Sequence, residues 1–259
     1  MEPDTLLRLQ NLCVSYGDKE CVKNVSIELK RGEIFVIAGE SGSGKSTILK
    51  AVQGTLGMAG RVSGGSIFYS GRDITHIDDS ERRGLSGTEI SMIFQNPGAS
   101  FCPIRTIGDQ IYEAARAHND WSYEEFTARA VPIMKSINLE EGVLSEYPFR
   151  LSGGMGQRAG ILAAMILSPK LLLADEPTSA LDTVTQVSVV KELMALRDRL
   201  GISILMVTHH MGIAFHMADY ILIMRRGEMV EWGTRDEIFK APKNGYTMEL
   251  IASVPRMEV

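Results

Sequence analysis

Residues 39–47 read GESGSGKST, and the short apolar run EIFVIA precedes them at residues 33–38. A short run of branched apolar side chains predicts a buried β-strand. A helix is predicted to begin near Lys45 and to end near Gln53. The glycine-rich stretch matches the pattern G-x-x-x-x-G-K-[ST] in full, between a predicted strand and a predicted helix. This context is the one that a phosphate-binding loop requires.

The residue types in this loop suit a nucleoside triphosphate. Glycines let the loop curl so that successive backbone N–H groups point inward, and the helix N-terminus adds positive potential. Lys45 is predicted to reach the β- and γ-phosphates, and Ser46 to offer its hydroxyl to Mg²⁺. The loop residues predicted to contact the nucleotide are Gly39, Ser41, Gly42, Gly44, Lys45, Ser46 and Thr47.

A second chemical element follows the apolar run LLLA, which ends in Asp175 and Glu176. A carboxylate at the tip of a buried strand can hold the shell of a Mg²⁺ ion, which favours this role for Asp175. Glu176 is then placed to polarise the water that attacks the γ-phosphate. Together with the phosphate-binding loop, the pair predicts a nucleotide hydrolase, because a P-loop kinase needs an acceptor site instead of an acid that activates water.

A third element is LSGGMGQR at residues 151–158. Ser152 is a good helix N-cap, and Gly153 and Gly154 leave backbone N–H groups uncovered at the start of a predicted helix. The chain already has one anion site, so a second phosphate-binding segment indicates that this segment contacts a nucleotide held by another subunit.

Composition limits the class of protein. The 259 residues carry a net charge of −5, and the basic side chains form only short pairs, so a nucleic-acid partner is not expected. The three cysteines form no Cys-x-x-Cys pattern, which suggests neither a disulfide framework nor a zinc site. No stretch approaches the roughly 18 to 20 apolar residues that span a bilayer, and no secretory signal is recognised at the N-terminus. A soluble, cytoplasmic protein is expected, with any membrane role acting through a partner.

Strands alternate with helices at both ends of the chain, which predicts a doubly wound α/β core. Three early strands are predicted near residues 5–14, 21–29 and 33–38, and residues 105–168 are predicted to be mostly helical. Pro132 is predicted to interrupt or kink one of these helices. The helical middle indicates an inserted subdomain.

With these motifs in this order, the chain resembles the ATP-binding subunits of ABC transporters over almost its whole length. The resemblance implies an α/β fold: a P-loop NTPase core with a mixed sheet, an antiparallel β part at the N-terminus, and an inserted α-helical subdomain. It implies an ATP-binding core in residues 1–97 and 166–259, with C-terminal helices. The helical subdomain is expected at residues 98–165 and ends in the signature helix.

The resemblance also implies roles for further residues. Tyr16 matches the aromatic residue that stacks on adenine, and Gln95 matches the Q-loop glutamine that touches Mg²⁺. Ser152, Gly153 and Gly154 match the signature motif, which meets the ATP of the partner subunit. Asp182 of SALD matches the D-loop, and His209 matches the switch histidine at the γ-phosphate. Two positions depart from the family pattern: Met155 stands where glutamine is usual, and His210 where aspartate is usual.

Finer features are similar to the peptide/nickel importer group, including QNPGASFCPIRTIGDQI and APKNGYTMELIASVPR. Peptide-importing members commonly continue with a cysteine-bearing tail, and the sequence here stops at Val259, which favours a nickel or metal-chelate cargo over a di- or oligopeptide. The resemblance implies ATP and Mg²⁺ as cofactors and a location on the cytoplasmic face of the membrane. The implied partners are a second ATPase subunit, identical or paralogous, membrane permease subunits, and indirectly an extracytoplasmic solute-binding protein.

The main alternative is a soluble ABC ATPase of DNA repair or another process outside transport. Such proteins usually carry coiled-coil or zinc insertions between the motifs, and the residues between Ser46 and Leu151 show neither heptads nor cysteine pairs. A translation-associated factor would have two cassettes, and a regulatory module would be expected to lack Glu176. Fold alone does not separate these classes.

Overall fold

The computed structural model describes residues 4–179 and 181–253. Packing divides these residues into two compact units. Unit 1 contains the described residues of 1–82 and 203–259, and unit 2 contains those of 83–202. The boundaries predicted for the helical subdomain, after residues 97 and 165, were placed from the sequence motifs, and they stay a prediction.

The described residues form ten strands and nine α-helices. The strands are β1 (Thr5–Tyr16), β2 (Lys19–Lys30), β3 (Ile34–Ala38), β4 (Gly60–Tyr69), β5 (Arg72–Asp73), β6 (Ile90–Ile93), β7 (Leu171–Asp175), β8 (Ser203–Thr208), β9 (Tyr220–Arg225) and β10 (Glu228–Thr234). The helices are α1 (Lys45–Gln53), α2 (Asp79–Leu85), α3 (Ile107–Arg116), α4 (Tyr123–Ser136), α5 (Gly153–Met165), α6 (Thr183–Leu200), α7 (Met211–Met217), α8 (Arg235–Lys240) and α9 (Gly245–Ala252).

Unit 1 contains two groups of strands. In the first, β1 pairs antiparallel with β2 on one side and with β4 on the other, and β4 continues to β5. In the second, β3 pairs parallel with β8 and with β9, and β10 adds antiparallel to β9. Every residue of β3 is buried, as expected of a parallel strand covered on both faces. Because β3 and β8 are parallel neighbours, their carboxyl ends lie side by side, and the phosphate-binding loop begins at this edge.

Strand β4 begins earlier than the sequence suggests. The run SIFYSG predicts a strand, and the glycine-rich residues before it read as a connection, yet β4 begins at Gly60, which pairs with Tyr16. The register shifts where Gly65 adopts a positive φ of 76° beside Asn11, itself at 49°. A Cβ on Gly65 would lie 2.2 Å from the Asn11 carbonyl oxygen, so glycine here serves a β-bulge.

In unit 2, β6 and β7 pair in parallel, and helices α3 to α6 surround their own apolar core. Phe126 and Met134 of α4 are fully buried. Helix α4 begins with a capping box. The Glu125 N–H donates to the Ser122 hydroxyl, and the Ser122 N–H donates to the Glu125 carboxylate. Pro132 lies inside α4 on an exposed position and does not interrupt it, so that part of the prediction is wrong. Because Pro132 lies on the exposed side of α4, water can hydrate the backbone carbonyl that its missing N–H leaves without a helical hydrogen bond.

None of the helices in the described ranges combines the length and the apolar character needed to cross a membrane.

Candidate nucleotide-binding site

The glycine-rich loop leaves the buried end of β3 through two residues that only glycine can occupy. Gly39 has a φ of 147°, and a Cβ there would lie 2.1 Å from the backbone carbonyl oxygen of Met224. Gly44 has a φ of 97°, and its Cβ would lie 2.4 Å from the carbonyl oxygen of Cys21. Both positions combine a left-handed backbone with a close approach of a second chain segment. The turn of the loop is thus fixed by packing against its neighbours.

Lys45 points back into the loop and is only 4% exposed. Its Nζ atom donates to the carbonyl oxygens of Gly39 at 2.9 Å and Glu40 at 2.8 Å, and to the Ser43 hydroxyl at 3.5 Å. A buried ammonium must be compensated, and here backbone carbonyl dipoles do so. The positive charge is therefore held at the centre of the curled loop.

Helix α1 presents its N-terminus at the same place. Its N-cap, Gly44, has left-handed geometry and makes no side-chain cap bond. The Gly44 carbonyl accepts from the N–H groups of Thr47 at 3.1 Å and Ile48 at 3.3 Å, which starts the helix. No acidic side chain occupies the first turn, so the positive end of the helix dipole adds to the charge of Lys45. The arrangement suits an anion such as a phosphate group.

The loop is braced by the β9–β10 hairpin and by α9. The N–H of Gly227, between the two strands, donates to the Ser43 carbonyl at 3.0 Å. The N–H of Glu40 donates to the hydroxyl of Tyr246 in α9 at 3.2 Å. These contacts lie within unit 1, and neither was anticipated from the sequence, because hydrogen bonds between distant segments leave no local pattern.

His209 lies beside the start of the loop, because Ala38 of β3 is paired with Thr208 of β8. Gly39 and His209 therefore follow directly on paired residues of adjacent parallel strands, which lie about 4.8 Å apart. The His209 side chain is exposed and its ring centroid lies 4.1 Å from that of His210. Its predicted contact with the γ-phosphate stays a prediction that this position favours.

Tyr16 ends β1 and packs on Gly60, its pairing partner: a Cβ on Gly60 would lie 2.8 Å from the Tyr16 ring. The ring is partly exposed. An exposed face leaves room for stacking on a base, and its role at adenine stays a prediction.

In unit 2 the parallel pairing of β6 and β7 brings Gln95 and Glu176 together. Ile93 is paired with Ala174, so both side chains emerge just past the same edge of the strand pair. The Gln95 amide donates from Nε2 to Glu176 Oε2 at 3.3 Å. Asp175 ends β7 and is 8% exposed, and the next residue, Glu176, has a left-handed backbone with a φ of 45°. A left-handed glutamate is uncommon and strained, and such residues cluster at functional sites.

The predicted signature segment also has the expected local structure. Ser152 is the N-cap of α5, and its Oγ accepts from the Met155 N–H at 3.3 Å. The methionine that departs from the family pattern thus keeps its backbone donor. Helix α5 comes very close to the turn Pro97–Ser100, because a Cβ on Gly160 would lie 2.2 Å from the Pro97 side chain.

Asp182 caps α6 by accepting from the N–H groups of Val184 at 3.1 Å and Thr185 at 3.0 Å. Hydrogen bonds from the Thr185 hydroxyl and backbone N–H hold the pKa of Asp182 below its usual range. Ala180, in the middle of the predicted D-loop, lies outside the described residues.

An ion pair that none of the sequence motifs marks joins α5 to α6. Glu192 is 4% exposed and accepts from Arg158 Nε at 3.1 Å and Nη2 at 2.9 Å. The Ser188 hydroxyl and the Asn138 amide also donate to Glu192, at 3.0 and 3.2 Å. The one sign of this ion pair in the sequence is that a glutamate stands among the apolar residues that α6 buries. The pair fixes the signature helix to the helix that follows the D-loop.

We expect Glu192→Ala to lower the free energy of unfolding by about 3 kcal/mol, because it leaves the largely buried Arg158 without its carboxylate. Chemical denaturation followed by circular dichroism measures this loss. Glu141→Ala is the matched control, since Glu141 pairs with Lys135 on the surface, where the side chains are 56% and 70% exposed. That change should cost about 0.5 kcal/mol or less. Equal losses in the two variants would show that the Arg158 pair contributes no more than a surface pair.

Comparison with known proteins places this arrangement in a family. A family model described as "ABC transporter" matches residues 22–179. The dipeptide transport ATP-binding protein DppD of Bacillus subtilis (strain 168) is 36% identical over 263 residues, which cover 99% of this chain and 78% of DppD. The oligopeptide transport ATP-binding protein OppD of the same organism is 37% identical, with 98% of this chain and 73% of OppD covered.

A solved structure is similar in both fold and sequence. It is the dimeric structure of a post-hydrolysis state of the ATP-binding cassette MJ0796 bound to ADP and Pi. The TM-score is 0.78 at 28% identity, with 89% of this chain and 99% of that chain covered. The chain therefore belongs to the ABC transporter family. It is an ATP-binding ABC ATPase, and the predicted fold class is confirmed.

Proposed function

We propose that this chain is the ATP-hydrolysing subunit of an ABC importer, and that it energises the uptake of peptides. The single observation that carries the nucleotide part is the buried Lys45 held by carbonyls at the centre of a glycine loop. The importer part is supported by the names of the relatives, which are dipeptide and oligopeptide transport ATP-binding proteins. These names shift the proposed cargo from a nickel chelate to a di- or oligopeptide.

In the proposed mechanism, each residue acts on one part of the triphosphate. The loop N–H groups and Lys45 bind the phosphates, and Glu176 takes a proton from the attacking water while its partner Gln95 orients it. His209 donates to the γ-phosphate and stabilises the charge that develops there. Tyr16 supports the base by stacking. The signature residues Ser152, Gly153 and Gly154 bind the ATP of a second subunit.

Mg²⁺ is the proposed metal cofactor, and the chemistry of each proposed ligand suits it. Ser46, Gln95 and Asp175 each present a hydroxyl, amide or carboxylate oxygen, which are the ligand types that Mg²⁺ takes in proteins. When bound, the ion would neutralise charge on the phosphate oxygens. Water would complete its coordination, as is usual for this ion.

The proposed partners follow from this assignment. Two ATPase subunits would close with each ATP between one phosphate-binding loop and the opposite signature, because the γ-phosphate gives the closed state its differential contact. Permease subunits would carry the peptide, and a solute-binding protein would deliver it. The chain itself would be peripheral, on the cytoplasmic face of the membrane.

The test is ATP hydrolysis by the purified chain alone and after reconstitution in vesicles with its second ATPase, permease subunits and binding protein. We expect little hydrolysis by the chain alone, and stimulation when the binding protein carries alanyl-alanine. A binding protein exposed to nickel chelate serves as the comparison for cargo. The Glu176→Gln version of the same complex corrects for contaminating hydrolases.

The effect of each cargo on the rate of ATP hydrolysis decides whether the proposed peptide import is correct. Stimulation by dipeptide supports peptide import. Stimulation by nickel chelate alone would show that the cargo is a metal chelate and not a peptide. Vigorous hydrolysis by the isolated chain that no membrane partner changes would contradict the importer and favour a soluble ABC ATPase.

A further inference from the structure

One peptide unit of the phosphate-binding loop is held from both sides. The carbonyl of Gly39 accepts from Lys45 Nζ at 2.9 Å. The N–H of Glu40, which belongs to the same planar peptide group, donates to Tyr246 Oη at 3.2 Å. A peptide plane fixed at both its oxygen and its nitrogen cannot rotate without breaking a bond. The hydroxyl of Tyr246 therefore sets the direction of the carbonyl that holds Lys45.

Tyr246 is itself firmly placed. It is 7% exposed, and the Arg225 guanidinium lies over its ring at 4.5 Å from the centroid. Its own N–H is capped by the Asn244 side chain at 2.9 Å. The Glu231 carboxylate of β10 accepts from the two backbone N–H groups that precede α9, at 2.7 and 3.1 Å. These contacts hold Tyr246 and the start of α9 in one orientation.

The phenol acts on the loop as a neutral group. Burial raises the pKa of Tyr246 above its usual value. The hydroxyl therefore keeps its proton at physiological pH, and one of its lone pairs accepts from Glu40. The hydroxyl therefore adds no charge to the phosphate-binding loop.

We propose that Tyr246 is a positioning residue for nucleotide binding, which orients the Gly39–Glu40 peptide so that Lys45 is held ready for the phosphates. Without the hydroxyl, this peptide samples more than one orientation, and Lys45 loses a fixed anchor. Binding must then order the loop again, and that loss of conformational freedom weakens affinity. The inference rests on ATP binding at the loop and is independent of the proposed import.

The test compares Tyr246→Phe with the unchanged chain, since this variant keeps the ring and removes only the hydroxyl. The dissociation constant for ATP should rise about two- to tenfold, the range expected from one lost hydrogen bond. In the assembled complex the KM for ATP should rise by the same factor, while kcat stays within about twofold, because Tyr246 does not touch the reacting atoms. Amide hydrogen exchange at Glu40 should become faster.

Tyr220→Phe is the matched control. It also removes one phenol hydroxyl from unit 1. Tyr220 is the first residue of β9 and stacks on Phe35, whereas the part of β9 that approaches the loop, at Gly39, is Met224 near its other end. Its ATP affinity should stay unchanged. Unaltered affinity in Tyr246→Phe, or an equal loss in the control, would overturn the inference. If the unchanged chain bound no ATP, the proposed function itself would fail, so the two failures are distinct.

A second variant covers the case in which Tyr246→Phe folds poorly. Arg225→Met removes the guanidinium over the ring and leaves the hydroxyl in place. We expect weaker ATP binding than in the unchanged chain, together with faster exchange at Glu40. Faster exchange at Glu40 without any loss of ATP affinity would show that the orientation of this peptide does not affect nucleotide binding, and it would overturn the inference.

Discussion

We expect Glu176→Gln to bind ATP with nearly the affinity of the unchanged chain and to hydrolyse it roughly a thousandfold more slowly, as befits the loss of a general base. Glutamine keeps the size of the side chain and can still meet Gln95, which lies 3.3 Å from the carboxylate. It has no lone pair basic enough to take a proton from water. The measurement is single-turnover hydrolysis of labelled ATP in the assembled complex, alongside nucleotide binding.

The control for this variant is Glu140→Gln, the same chemical change at an exposed position in unit 2. Its turnover should equal that of the unchanged chain. Substantial turnover by Glu176→Gln would falsify the assigned role and would point to another residue, or to the substrate itself, as the proton acceptor.

The second large effect is expected from Lys45→Ala. Hydrogen bonds to charged groups contribute about 1.5–3 kcal/mol each, so ATP affinity should fall roughly tenfold to a hundredfold. The variant also removes the bonds from Lys45 Nζ to the carbonyls of Gly39 and Glu40, so the loop becomes less ordered. Isothermal titration with ATP and ADP measures the loss.

Lys50→Ala is the comparison for this variant, because Lys50 is exposed in the same helix, α1. It changes the net charge equally and lies away from the loop. Affinity for ATP should be unaltered in this control. A Lys45→Ala protein that bound ATP as well as the control would contradict the assignment of the loop as a phosphate site.

Some of the site could be predicted from sequence because its geometry is local. The strand, loop and helix around Lys45 follow one another within about twenty residues, and the predicted bounds of α1 agree with the structure. The cap at Ser152 and the apolar strand before Asp175 are local in the same sense. Each of these features depends on residues that are neighbours along the chain, which is what a pattern can report.

Other features depend on contacts between segments far apart in sequence. Tyr246 meets Glu40 across 206 positions, and Glu192 meets Arg158 across 34. No period or spacing marks these pairs, since each residue alone reads as an ordinary aromatic or charged side chain. Pro132 shows the opposite limit: the local rule predicts an interruption or a kink, and α4 continues through Pro132 with Phe126 and Met134 fully buried on its other face.

The burial of Lys45 has a consequence for the thermodynamics of the first encounter with nucleotide. An exposed ammonium would have to lose its hydration shell when a phosphate arrived, and that loss would oppose association. Here the side chain is 4% exposed and carbonyl dipoles take the place of water. Dehydration of the cation is thus completed while the polypeptide folds. The incoming phosphate exchanges one set of oxygens for another, and the attraction between the charges is retained as affinity.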